Sequence, residues 1–125
     1  MTKTALVTGA SRGIGLGIAK RMAHLGYCLT VTARDQRQLA TVAAELTALG
    51  APDVVVIAGD LSDPEHLQRL TAAHELRLGA MSALILNAGV GTAGSIAEST
   101  MKRFDKTFAV NIRAPFLLLQ QSLPL

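Results

Sequence analysis

Short uninterrupted apolar runs alternate along this chain with longer stretches in which apolar residues recur every three or four positions. TALVTG (4–9), YCLTVTA (27–33), DVVVIAG (53–59) and ALILNAG (83–89) are apolar or β-branched without strict alternation, which predicts strands buried on both faces. GIGLGIAKRMAHLG (13–26) predicts a helix with Ile14, Ile18, Met22 and Leu25 on one face and a stop at Gly26. DQRQLATVAAELTALG (35–50) predicts a second helix, capped by Asp35, faced by Leu39, Val42, Ala43 and Leu46, and ended by Gly50. SDPEHLQRLTAAHELRLG (62–79) predicts a third, with Asp63 as cap and Pro64 in its first turn. Residues 98–125 predict a mostly helical stretch with a kink at Pro115.

The order is therefore β-α-β-α-β-α-β-α. Continuous apolar strands separated by helices predict a parallel sheet covered on both sides, and right-handed crossovers leave the doubly wound, nucleotide-binding arrangement as the commonest solution. Ligands of such sheets bind outside the carboxyl ends of the strands. Four polar or glycine-bearing segments are expected at that edge: Gly9–Gly17, Ala33–Arg34, Gly59–Asp60 and Asn87–Gly89.

Composition narrows the class further. A chain of 125 residues without repeats or low-complexity linkers predicts one domain over 1–125. Half the residues are hydrophobic and 17% are charged, yet no apolar run reaches the roughly 20 residues of a membrane span, so no membrane association is expected. Met1–Ala10 has no long apolar segment of the kind a secretory leader carries. The net charge of +3 comes from scattered Lys and Arg, apart from Lys102–Arg103, and there is one Tyr and no Trp, so no nucleic-acid partner is expected. The single cysteine, Cys28, lies in a predicted strand, reads as core, and fits a cytoplasmic location. His24, His66 and His74 share no spacing with carboxylates and read as structural or surface residues; no metal site is expected.

The chemistry lies in VTGASRGIGLG (7–17). Glycines at 9, 13 and 15 permit positive φ and leave room for a phosphate, and the loop opens a helix whose first N–H groups lack partners. The spacing is G-x-x-x-G-x-G. It is not the general G-x-G-x-x-G fingerprint, because residue 18 is Ile, and it is not a Walker loop, because no Gly-Lys-Ser/Thr follows.

TGASRGIG, a strand ending ILNAG and a helix carrying VNIRAPF resemble, in that order, the short-chain dehydrogenase/reductase family. The resemblance spans nearly the whole chain and implies a Rossmann-like fold, here truncated after about four strands and four helices. It implies cofactor contacts at Gly9, Ser11, Arg12, Gly13, Ile14, Gly15, Arg34, Asp60, Leu61, Asn87, Ala88 and Gly89. Arg12 in the loop and Arg34 after the second strand resemble the basic pair of NADP-preferring members, so NADP(H) is expected over NAD(H). Asp35 is the competing ribose ligand, but it reads better as a helix cap. Asp60 and Leu61 are expected at the adenine, although Asp60 also suits the opening of the turn LSDP. Leu86 stands where the family often has a first asparagine and is expected to point into the core. Gly91–Ser95 reads either as a mobile loop near the substrate or as an ordinary linker. Asn111 corresponds to the family's helix asparagine, implied to hold a relay water through its main-chain carbonyl; bracing of the fourth strand is the other reading.

The family's proton donor is a tyrosine in Tyr-x-x-x-Lys, supported by a serine. The one tyrosine here is Tyr27, and residue 31 is Val. The family likeness therefore predicts an NADP-dependent reductase of small carbonyls, or a dehydrogenase of the alcohols, represented by its cofactor-binding part, with the 125-residue chain inactive by itself. The alternatives are a nucleotide-binding or interaction module without catalysis and a product that does not fold stably. The chain is expected to be a fragment, its fourth strand left as an open edge and its 98–125 helix offering a surface for a homo-oligomer.

Overall fold

The computed structural model describes residues 2–91 and 93–125; Thr92, within the expected substrate-side loop, lies outside them. Four strands, β1 (Thr4–Thr8), β2 (Cys28–Ala33), β3 (Val54–Ala58) and β4 (Ala83–Ile85), form one parallel sheet in the order β3-β2-β1-β4. Helices α1 (Gly13–His24), α2 (Gln36–Leu49) and α3 (Pro64–Leu78) supply the crossovers, and α4 (Met101–Phe108) and α5 (Ala114–Ser122) follow β4. The chain moves outward from β1 to β3 and then returns to place β4 on the other side of β1. The direction of winding thus reverses between β1 and β4, and a crevice opens at their carboxyl ends.

The core has two parts. On one face, α1 and α2 cover β1 and β2 with Ala19, Ala23, Leu39, Val42 and Leu46. On the other, Leu67 and Leu70 of α3 meet Leu6 of β1 and Ala114 and Leu118 of α5. The caps form as the sequence predicts. Asp35 Oδ1 accepts from the N–H groups of Arg37 and Gln38 at 2.9 and 3.2 Å, and Asp63 Oδ1 accepts from Glu65 N at 3.0 Å.

Several expectations need correction. The buried face of α1 is Gly15, Ala19 and Ala23, whereas Ile14 and Leu25 are 77% and 58% exposed. The helix lies so close to β1 that a Cβ at Gly15 would strike the Gly9 carbonyl oxygen; small residues face the sheet and the large ones turn out. β4 ends at Ile85 rather than continuing toward Gly89. The Thr8 hydroxyl replaces the ladder there, accepting from Asn87 N and Ala88 N at 3.1 Å each. Leu86, leaving the sheet at its edge strand, is 39% exposed instead of entering the core.

The stretch 98–125 is divided rather than simply kinked. A π turn over Ala109–Arg113 separates α4 from α5, so the described residues hold five α-helices instead of about four. Pro115 lies in the first turn of α5 and has no N–H to give the Asn111 carbonyl four residues earlier, which accounts for a break in the regular ladder at this point.

Candidate functional site: a cleft at the β1–β4 switch point

A cleft of about 390 Å³ opens where the winding reverses. Its floor is the loop from β1 to α1, with Gly9, Ser11, Arg12, Gly13 and Ile14 in the lining. Gly9 and Gly13 have φ of 62° and 60°, a region that costs any other residue strain. A Cβ at Gly9 would sit 2.9 Å from Ala88 Cα, so the two loops are in backbone contact. Gly15 does not line the cleft. It packs beneath it, against the Gly9 carbonyl and Asn87 Nδ2, which itself donates to that carbonyl at 3.2 Å. Arg12 is the N-cap of α1 and its side chain makes no capping bond, so the first N–H groups of α1 have no side-chain acceptor there. An anion at this point gains both the free donors and the positive end of the helix dipole.

The remaining segments converge as expected. Arg34 follows β2, Asp60 and Leu61 follow β3, and Asn87, Ala88 and Gly89 follow β4; all line the cleft. Arg12 and Arg34 are exposed, and among the described residues neither pairs with a carboxylate. Asp35, in contrast, spends its carboxylate on the cap of α2. Asn111 stands behind the lining: its Oδ1 accepts from Val90 N at 2.8 Å and its Nδ2 donates to Val90 O at 2.7 Å, and Val90 is in the wall. This is the bracing role. Its main-chain carbonyl falls within the π turn.

Three lining residues escaped the sequence reading, Val90, Lys106 and Val110. Lys106 and Val110 lie four apart, a spacing visible in the sequence, but nothing in the sequence says that they turn toward the β3–α3 loop. Lys106 Nζ donates to Asp60 Oδ2 at 2.6 Å and to Ser62 Oγ at 3.1 Å, while Asp60 Oδ1 accepts from Ser62 N and Oγ at 2.9 and 2.8 Å. Arg113 donates to the Ser62 carbonyl at 2.7 Å. The Lys106 ammonium, followed by the Ser62 N–H, holds the Asp60 carboxyl down at about 2, so it is ionised at neutral pH.

Of the two buried histidines of α3, His66 lies under this wall and His74 lies deeper along the helix, against the middle of β2. His66 and His74 of α3 are fully buried and bond the hydroxyls of Thr32 and Thr30 on β2 at 3.0 and 2.9 Å. A Cβ at Gly59 would run into the His66 ring. Burial pushes the pKa of both below the ordinary histidine value. His24 is exposed, Cys28 is buried, and no group of three metal-ligating side chains occurs among the described residues. Tyr27 precedes β2, at the end of the sheet opposite the cleft. No helix of the described residues is long and apolar enough to cross a membrane.

The positive-φ glycines Gly9 and Gly13 in the lining, the α1 N–H groups without a side-chain acceptor and two arginines without carboxylate partners suit a phosphorylated dinucleotide. Comparison with known proteins agrees in kind. L-xylulose reductase of Caenorhabditis elegans is 38% identical over 119 residues, 94% of this chain and 45% of that protein. Versicolorin reductase 1 of Aspergillus parasiticus is 32% identical over 120 residues, 96% and 46% respectively. A metagenomic short-chain oxidoreductase in complex with NADP superimposes with a TM-score of 0.91 at 36% identity, covering 98% of this chain and 55% of that one. L-sorbose reductase from Gluconobacter frateurii, complexed with NADPH and L-sorbose, gives 0.94 at 28% identity, covering 98% and 47%. The chain thus spans about half the length of the curated relatives it matches. The short chain dehydrogenase family model matches residues 3–125, from the start of β1 through both cleft-lining motifs, and the chain belongs to that family.

Proposed function

We propose that this chain forms the NADP(H)-binding part of an oxidoreductase that reduces a small carbonyl compound or oxidises the corresponding alcohol. The observation that carries the reading is the pair of cations, Arg12 and Arg34, without carboxylate partners beside a glycine cradle at the switch point. The solved relatives that contain NADP or NADPH lend support.

In this reading the α1 N–H groups and the Gly9–Gly15 loop hold the pyrophosphate, and Arg12 and Arg34 hold the 2′-phosphate. Asp60 and Leu61 hold the adenine. Asn87, Ala88 and Gly89 let a ribose lie close to the backbone. NADP(H), when bound, supplies or accepts the hydride. Asn111 braces Val90 and, through its main-chain carbonyl, is suited to hold a relay water. The domain is taken as 1–125, and a cytoplasmic location fits the single reduced thiol of Cys28. Self-association runs through α4, the π turn and α5, whose Phe104, Phe108, Ile112, Phe116 and Leu119 are about half exposed or more.

Titration of the purified chain with NADPH and NADH tests the cofactor. NADPH is expected to bind at least about tenfold more tightly, since a 2′-phosphate adds charge-assisted bonds. Equal binding overturns the assignment. The second reading, a binding module without turnover, is favoured by the position of Tyr27, the one tyrosine of these 125 residues, far from the cleft. It predicts NADPH binding by this chain without carbonyl-dependent NADPH oxidation.

A further inference from the structure

Asp60 is not a free carboxylate at the edge of the cleft. A carboxylate offers about four lone-pair positions. Ser62 N and Ser62 Oγ fill the two on Oδ1, and Lys106 Nζ takes one on Oδ2. One acceptor position on Oδ2 remains, in a cleft that Asp60 and Lys106 both line. Lys106 comes from α4, on the far side of the loop, and its ammonium is tied again to Ser62 Oγ. The pair is 38% and 42% exposed, so it is a weak contributor to stability. Its main effect is geometric: the carboxylate has one orientation, a compensated charge and one place for a donor.

We propose that Lys106 is a positioning residue of the cleft, fixing Asp60 so that its remaining acceptor position receives the exocyclic amine of the adenine. This rests on the nucleotide reading above. Without Lys106 the carboxylate is held by Ser62 through Oδ1 alone, and Oδ2, having lost its one tie, swings about that oxygen and solvates instead of being held toward the base. A purine with a donor at that position is then no longer distinguished from one without it.

The test uses two probes of the adenosine half, read by isothermal titration calorimetry: adenosine 2′,5′-bisphosphate, and its 1,N6-etheno derivative, in which the amine is closed into a ring and donates no proton. The unsubstituted chain is expected to prefer the amine-bearing probe by about tenfold, the lower end for a hydrogen bond to a charged group. Lys106→Met should bring that ratio close to one by weakening only the amine-bearing probe. Lys106→Arg should restore most of it, and Lys106→Met should add nothing in an Asp60→Asn background. Thermal melts establish that each variant is folded. A ratio unchanged in Lys106→Met overturns the role of Lys106 and leaves the nucleotide reading standing. Equal binding of both probes by the unsubstituted chain overturns it too. Failure of that chain to bind adenosine 2′,5′-bisphosphate at all overturns the nucleotide reading, and this inference with it.

Discussion

The two walls of the cleft are built by different means. The glycine-loop wall is chiefly backbone packed on backbone, with no room for a Cβ between Gly9 and Ala88 or between Gly15 and the Gly9 carbonyl, and with the Thr8 hydroxyl and Asn87 amide as its side-chain ties. The Asp60 wall is a backbone loop held by side chains, with Lys106 and Arg113 reaching from one side and His66 pressing Gly59 from beneath. The first is set by what is absent from the residues and has no room to adjust. The second is set by polar ties, each of which can be lost alone. The glycine wall should therefore fail all at once, and the Asp60 wall by degrees.

The sharpest break in this contrast is Gly15→Ala. Its methyl group meets main-chain atoms that cannot move aside, and overpacking of that kind costs about 3 kcal/mol. A lower melting temperature and loss of NADPH binding are expected together; a variant that keeps both would show that the wall is not rigid. Arg34→Ala comes next. It leaves the fold intact and lowers NADPH affinity about tenfold or more without changing that for NADH, as titration of both cofactors reads out. Asn111→Ala removes two hydrogen bonds to Val90 and should cost about 2 kcal/mol, measured by urea denaturation, with a smaller loss of affinity.

Acid acts through the buried histidines of α3, of which His66 lies under the Asp60 wall. His66 and His74 have lowered pKa values in the fold because burial disfavours the imidazolium, so the unfolded chain binds the proton more readily. Stability is therefore full above the ordinary value of 6.5 and falls as the pH drops below it toward the lowered folded value. Melting curves from pH 7.5 to 5.5 should show this fall. His74→Gln, which keeps a partner for Thr30 without the titration, should reduce it, and an unchanged pH dependence would remove His74 from the account. The smallest effect belongs to Arg113→Ala. It removes one exposed hydrogen bond to the Ser62 carbonyl and should shift stability by less than about 1 kcal/mol.

Much of this was legible along the chain. Uninterrupted apolar strands give away a sheet covered on both sides, and Asp35 and Asp63 give away their helix starts because a cap is a local hydrogen bond. The loop glycines and the residues at the strand ends were legible because a parallel crossover must deliver them to one edge. The face of α1 was not. Periodicity selects the largest apolar residues, Ile14 and Leu25, while the sheet admits only the smallest, Gly15, Ala19 and Ala23. Nor was the early end of β4, because the hydroxyl that replaces its ladder belongs to Thr8, seventy-nine residues from Asn87.

The sequence by itself determined the α/β class, the glycine loop with Arg12 before α1, and the positions of Arg34 and Asp60 just after strand ends, because each follows from spacing within one element. Only the tertiary structure decided that Asp60 is held by Lys106, that Asn111 grips Val90, and that His66 lies under Gly59. These contacts join elements distant in sequence, and periodicity ranks residues within an element but cannot say which neighbour each face will meet.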